Sequence, residues 1–321
     1  MSEKIVMSRL DFIPADFPGF EKRAGIAAMC IAMVLLPLGD AISKTLTAFA
    51  TPFEVTVWRT LAQAVFFVPV AILLRHRLSG SVLSGASLLS ALLIVTVTLS
   101  LITAFASMPI ATAIAIFFVE PLLLTLLAGP FLGEVPGPRR YAAVGVGLIG
   151  ALIVIRPNFV EFGPVVLLPV LAATAFAFNM IVMRKATRRR SALAFQFGAS
   201  LWAAAFVLVM HLVVSTLGFE RTAMAGLPVW VFWMVLAAGV LAMAAFLAIT
   251  FAFSKVEASL LAPFQYLEIV GATLVGFLVF GEIFDAMTLL GTAVILSSGL
   301  YVFYRERQRE VETAASQHAE S

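Results

Sequence analysis

The chain has 321 residues, 62% of them hydrophobic and 12% charged, with a mean hydropathy of +1.06 and a formal net charge of +3. Soluble domains carry about 25% charged residues; a globule of this size cannot bury so much apolar surface, so lipid must be the solvent. The slight positive balance does not point to nucleic acid, because the cations sit in connections and no basic stripe is interleaved with exposed aromatics.

Residues 1–23 are mixed polar and charged, with Pro14 and Pro18, and the apolar run that follows is too long for a signal peptide. They read as a cytoplasmic lead. Ten membrane-spanning helices are predicted: 24–46, 52–74, 84–106, 110–132, 139–156, 163–184, 191–215, 228–252, 257–280 and 286–304. Connections are short and carry Pro, Gly or charge, as at Arg75-His76-Arg77, Pro136-Gly137-Pro138 and Arg156-Pro157-Asn158. Beyond Tyr304 the chain is charged and then rich in alanine and serine, which predicts a solvated, mobile tail over 305–321.

Lysine and arginine placement orients the helices. With the N-terminus inside, the inner segments hold Lys4, Lys22, Arg75, Arg139, Arg188, Lys255 and Arg305 among others, and the outer ones only Arg156 and Arg221. An odd number of spans would spoil this asymmetry, so both termini are expected in the cytoplasm.

Two stretches read as copies of each other. Phe117 to Glu134 is FFVEPLLLTLLAGPFLGE, and Gln265 to Glu282 is QYLEIVGATLVGFLVFGE; the copies lie 148 positions apart, as 120 lies from 268. The match aligns the fourth span with the ninth, so the repeating unit is five helices. Five is odd, so the second copy enters the membrane upside down. The expected fold is all-α and integral to the membrane: ten helices as two inverted five-helix repeats, 24–156 and 163–304. Such duplicated folds hold their solute site between the halves.

A charge at mid-membrane costs about 2.5–3.5 kcal/mol on insertion scales. Six candidates remain inside spans: Asp40, Lys44, Glu54, Arg59, Glu120 and Glu268. Asp40 and Lys44 are four apart on one helix face and can pair, after Pro37 and Gly39 have loosened the first helix. Arg59, next to Trp58, can hold an anionic solute group or pair with Glu54 or Asp40. Glu54, at a helix start, complements the positive helix end. Glu120 and Glu268 fall near the midplane, about ten residues into the fourth predicted helix and about eleven into the ninth. Pro121 removes one backbone hydrogen bond beside Glu120 and leaves carbonyls near Phe117 to line a cavity. Gln265 and Gly271 flank Glu268 at three residues on either side. A carboxylate at such depth can exchange a proton, bind a cationic group or lock two helices together. Glu134 and Glu282 end their helices at water level and read as anchors rather than cargo ligands. The cavity is expected among the first, second, fourth, sixth, seventh and ninth spans.

Trp58, Phe117, Phe118, Phe264 and Tyr266 lie near these charges, where a flat solute could stack; with 28 Phe in the chain, packing explains most such rings. His211 and Cys30 read as satisfied core or interface residues. Ala143, Gly147 and Ala151, spaced by four, allow close helix contact. No HExxH, GxSxG or P-loop is present, so neither catalysis nor ATP drive is expected, and no cofactor.

The pieces LGDAISK, TPFEVTVWRT, the two glutamate-bearing repeats and the closing GLYVFYRER resemble the drug/metabolite transporter superfamily, EamA type, over roughly Ala24 to Tyr304. The resemblance implies a bacterial inner-membrane carrier for a small organic solute: amino acid-like, nucleoside-like, or vitamin-like such as riboflavin, or S-adenosylmethionine. Many members carry a proline near the position of Ile269; here the residue is isoleucine and Pro263 lies earlier. The candidate solute or proton ligands are Glu120, Glu268, Arg59, Asp40, Lys44, Gln265, Trp58, Phe117 and Tyr266. Proton coupling and a homodimer stay open. The alternatives are a membrane-embedded enzyme acting on lipid-linked substrates and a non-transporting membrane partner protein.

Overall fold

A computed structural model describes residues 20–132, 138–217, 226–256, 261, 264–283 and 285–319, and every element among them is helical. In chain order these are α1 (Phe20–Leu46), α2 (Pro52–Leu73), α3 (Gly85–Phe105), α4 (Ile110–Phe117), α5 (Glu120–Leu132), α6 (Pro138–Phe162), α7 (Leu168–Thr187), α8 (Ala192–Thr216), α9 (Val229–Lys255), α10 (Leu267–Phe280) and α11 (Ala286–Ala319). Among the described residues, seven segments are long and apolar enough to cross a bilayer, one of them running through α4 into α5. Three shorter apolar helices accompany them: Tyr141–Ile155, Leu267–Phe280 and Ala286–Tyr301. Large apolar side chains such as Leu73, Leu278 and Ile283 point outward, which lipid tolerates and water does not.

Local chemistry sets the helix starts. Thr51 caps α2 in a reciprocal box: its hydroxyl accepts from the Glu54 N–H at 3.3 Å, and Glu54 Oε2 accepts from the Thr51 N–H at 3.0 Å. Glu54 is thus a cap, as its place at the helix start suggested. Asp285 caps α11, accepting from the Met287 and Thr288 N–H groups at 2.9 Å and from the Thr288 hydroxyl. Partial burial pushes its carboxyl up, but these bonds outweigh it and hold the group below the ordinary value of 3.8.

Three expected boundaries differ. The fourth span is broken in two between Phe117 and Glu120. The fifth does not stop at Arg156: α6 runs on through Pro157 to Phe162, and the Asn158 side chain donates to the Val154 carbonyl at 2.6 Å beyond the proline. The tail expected to be mobile is helical to Ala319, because residues 305–319 are mostly strong helix formers. Glu134 and Pro263 lie outside the described residues.

The helices pack mainly across the two halves of the chain. α1 lies on α9 and α3 on α7; α2 lies on α9 and α3 on α8; α1 lies on α10 and α5 on α7. α2 meets α8, and α6 meets α11. Exchanging the two halves maps each of the first six contacts onto another of the set, and the last two onto themselves. Close approach of α6 and α11 is a matter of small residues: a Cβ on Gly291 would lie 2.7 Å from the Gly150 carbonyl oxygen, and one on Gly147 would lie 2.8 Å from Ser298 Oγ. Ser298 also donates to the Ala143 carbonyl at 2.5 Å. Buried polar pairs add specificity elsewhere, with Ser90 on α3 donating to Asn179 on α7 at 2.6 Å and Thr250 on α9 donating to Gln196 on α8 at 3.0 Å.

Candidate functional site

Glu120 and Glu268 both sit in the first turn of a helix rather than in its middle. Pro121 cannot donate to the carbonyl four residues earlier, and its ring crowds it. α4 therefore ends at Phe117, and α5 begins with Glu120. In the second copy, a turn at Tyr266 precedes α10, which places Glu268 in its first turn. The two carboxylates thus face helix ends of positive polarity. Discontinuous helices of this kind bring polar backbone to mid-depth where it lines a cavity.

A cavity does lie there, with about 710 Å³ of free space, its open side included. One wall is a single face of α1, where Met29, Met33, Leu36 and Asp40 recur at helical spacing. Val97, Thr98 and Leu101 of α3 and Phe246 and Ile249 of α9 form the flanks. Glu120, Glu268, Gln265 and Arg59 bring the polar groups, and Phe117, Phe118 and Phe176 bring the rings. Phe117 and Phe176 meet at 5.7 Å between centroids. Gly271 lets α10 close on Pro37 of α1, since a Cβ there would lie 2.8 Å from Pro37 Cγ. The third and eighth spans contribute to the walls, and none of the cavity's lining residues comes from the seventh, which was expected to.

The charges are connected differently from the i, i+4 expectation. Asp40 does not pair with Lys44. It accepts from Arg59 Nη1 at 3.3 Å, and Arg59 Nη1 also donates to Ser43 Oγ at 3.1 Å. Lys44, about 6 Å further along the axis, donates to Glu282 Oε1 at 2.5 Å and to the Met108 carbonyl at 2.8 Å. Glu282 Oε2 accepts from the Ile110 N–H at 2.9 Å. The physical reason is reach: each cation finds a carboxylate on another helix that also offers neighbouring hydrogen bonds, which outweighs a same-helix contact worth a few tenths of a kcal/mol, about 0.2–0.5. Asp40–Arg59 joins α1 to α2 inside one half. Lys44–Glu282 joins α1 and the start of α4 to the end of α10, and so ties the halves together. Glu282 is an anchor, as read from its place in the sequence, but an anchor between repeats.

Glu120 and Glu268 are both buried and have no cation partner among the described residues. Glu120 Oε1 has no hydrogen-bond partner among them either. Three of the sequence candidates stay out of the cavity lining. Lys44 is engaged at the junction. Trp58 packs among Val55, Val57, Ala91 and Val231. Tyr266 turns toward α11, where a Cβ on Gly299 would collide with its hydroxyl, though its ring stays 5.6 Å from that of Phe118. His211 lies against Phe53. Among the described residues no three His, Cys, Asp or Glu side chains are grouped to hold a metal ion. The sequence reading missed the α1 stripe of Met29, Met33 and Leu36, whose spacing was the only available signal.

The model of the EamA-like transporter family matches residues 23–156 and again 163–304. The chain belongs to the EamA-like transporter family. It is a multi-pass membrane transporter for small solutes, and each family repeat supplies one glutamate at a broken helix. The chain is 26% identical over 294 residues to the S-adenosylmethionine uptake transporter of Rickettsia prowazekii, covering 88% of this chain and 94% of that one. It is 30% identical over 216 residues to the riboflavin transporter of Rhizobium johnstonii, covering 66% of this chain and 68% of that protein. A solved crystal structure superposes with a TM-score of 0.59 at 19% identity over 90% of this chain and 98% of the other, a likeness of fold.

Proposed function

We propose that this EamA-type chain is an inner-membrane secondary transporter that moves a small organic metabolite by alternating access. In this reading the seven long spans and three shorter apolar helices make ten crossings, two five-helix repeats of opposite orientation, with both termini in the cytoplasm. The exchange symmetry of the helix contacts supports the repeat, and the lysine and arginine bias supports the orientation. The cavity is the solute site, and the Lys44–Glu282 junction closes its outer end.

The observation that carries the reading is the coincidence of the cavity with both helix breaks, one from each repeat. A site shared by two halves opens to one side or the other as they rock. Relatives named for S-adenosylmethionine and riboflavin make a nucleoside-bearing or flat heterocyclic metabolite the first solute class to test. The experiment is flux of labelled S-adenosylmethionine and riboflavin into proteoliposomes containing the purified full chain. Accumulation above protein-free vesicles supports transport. Absence of flux across a broad metabolite panel from well-folded protein would sink it and favour the enzyme or partner alternatives.

A further inference from the structure

The charges lining the cavity do not balance. Three carboxylates line it, from Asp40, Glu120 and Glu268, against one cation, Arg59. Arg59 is already committed to Asp40 and Ser43. The nearest lysine along the same face of α1, Lys44, is spent on Glu282 and the Met108 carbonyl. Among the described residues two acidic side chains are therefore left without a partner cation, and one oxygen of Glu120 is buried with no hydrogen-bond partner. Helix ends supply only about half a positive charge each. Burying an unpaired charge is costly, so a solute that brings a cation to this place gains what the protein leaves open. Phe117, Phe118, Phe176 and Phe246 line the same space, and ring faces attract cations as well as flat apolar bodies.

We infer that the cargo is an organic cation, with an ammonium, guanidinium or sulfonium group received between Glu120 and Glu268 and an apolar or flat body held by the phenylalanines. Asp40 and Arg59, bonded to each other, close the polar end and set the spacing. This rests on the transporter reading and narrows it to a substrate class: an anionic solute would bring a like charge to two acidic groups, and a neutral one would bring neither of them a counter-charge.

The test uses the purified full chain and pairs of probes that differ in charge but little in shape: choline against 3,3-dimethylbutan-1-ol, and phenylguanidine against phenylurea. Binding is read by thermal stabilisation and by competition. At least one cation is expected to bind about tenfold or more tighter than its uncharged counterpart, the weight of one charge-assisted hydrogen bond. E120Q and E268Q should each shrink that ratio towards one, and E120D and E268D should keep part of it, which separates lost charge from lost folding. Equal binding within both pairs, tighter binding of the uncharged members, a ratio indifferent to E120Q and E268Q, or no stabilisation by either cation overturns the proposal. Flux of an uncharged solute alone would refute the cation class while leaving transport standing; cation binding without any flux would do the reverse.

Discussion

Glu282 offers the sharpest handle on the moving parts. Glu282→Gln keeps an oxygen for the Ile110 N–H but removes the charge that pairs with Lys44. The two side chains are only 12% and 19% exposed, so solvent screens the pair weakly. A charge-assisted hydrogen bond contributes about 1.5–3 kcal/mol; taking about 2 kcal/mol away from the closed arrangement alone shifts the population toward outer opening about thirtyfold. Asp40–Arg59 links two helices of one half, so rocking of one half against the other would leave it intact and it does not offset the loss. The reporter is Leu101→Cys, a cavity-lining position near the C-terminal end of α3, the outer end in the proposed orientation, in a Cys30→Ser background that removes the only native thiol. Labelling of intact cells with a membrane-impermeant maleimide should quicken about thirtyfold in the Glu282→Gln protein. Lys44→Met should act in the same direction, and the exchange of Lys44→Glu with Glu282→Lys should recover part of the protection. Labelling at the parent rate in Glu282→Gln would show that this junction does not hold the outer side shut.

Three further outcomes are expected. Glu268→Gln should lower transport about ten- to a hundredfold, the weight of one charge-assisted contact, with membrane yield and melting temperature retained; flux unchanged across the pH range would remove Glu268 from the mechanism. Gly291→Ala places a methyl 2.4 Å from Val154 Cγ2 and 2.7 Å from the Gly150 carbonyl oxygen, and should cost about 1–3 kcal/mol as α6 and α11 are forced apart, read as a lower melting temperature in detergent. Asp285→Ala removes a helix cap worth about 1 kcal/mol. Because the folded-state pKa of Asp285 lies below its ordinary value of 3.8, the advantage of the parent is complete above that value and fades as pH falls through the folded pKa; a melting difference constant from neutral pH to strong acid would contradict the assignment.

How far the sequence alone reaches depends on whether a feature is local. The repeat was visible because identical residues recur at one offset, and Pro121 announced a disturbance beside Glu120. The turn before Glu268 had no proline in register, so an unbroken helix was the natural expectation there. The Asp40–Lys44 pairing failed because helical spacing says which residues can meet on one helix and nothing about Glu282, which is 238 positions from Lys44. Met29, Met33 and Leu36 were indistinguishable from lipid-facing residues, since in a bilayer protein an apolar stripe can face solvent, a neighbour or a cavity alike. Aromatic proximity in sequence was a poor guide: Phe117 reaches the cavity lining, while Trp58 and Tyr266 serve the packing around it.

The helix contacts carry one more consequence. The principal neighbours of α1, α3 and α6 are α9, α7 and α11, all supplied by the opposite repeat. Neither repeat is a self-sufficient solid; each is closer to one hand of a clasp, with its adhesive faces bare until the other arrives. Synthesis of the first portion must therefore wait, its small-residue grooves lined by lipid, for the second to be inserted, and a gene cut between the two should yield working protein only when both pieces are made in the same membrane.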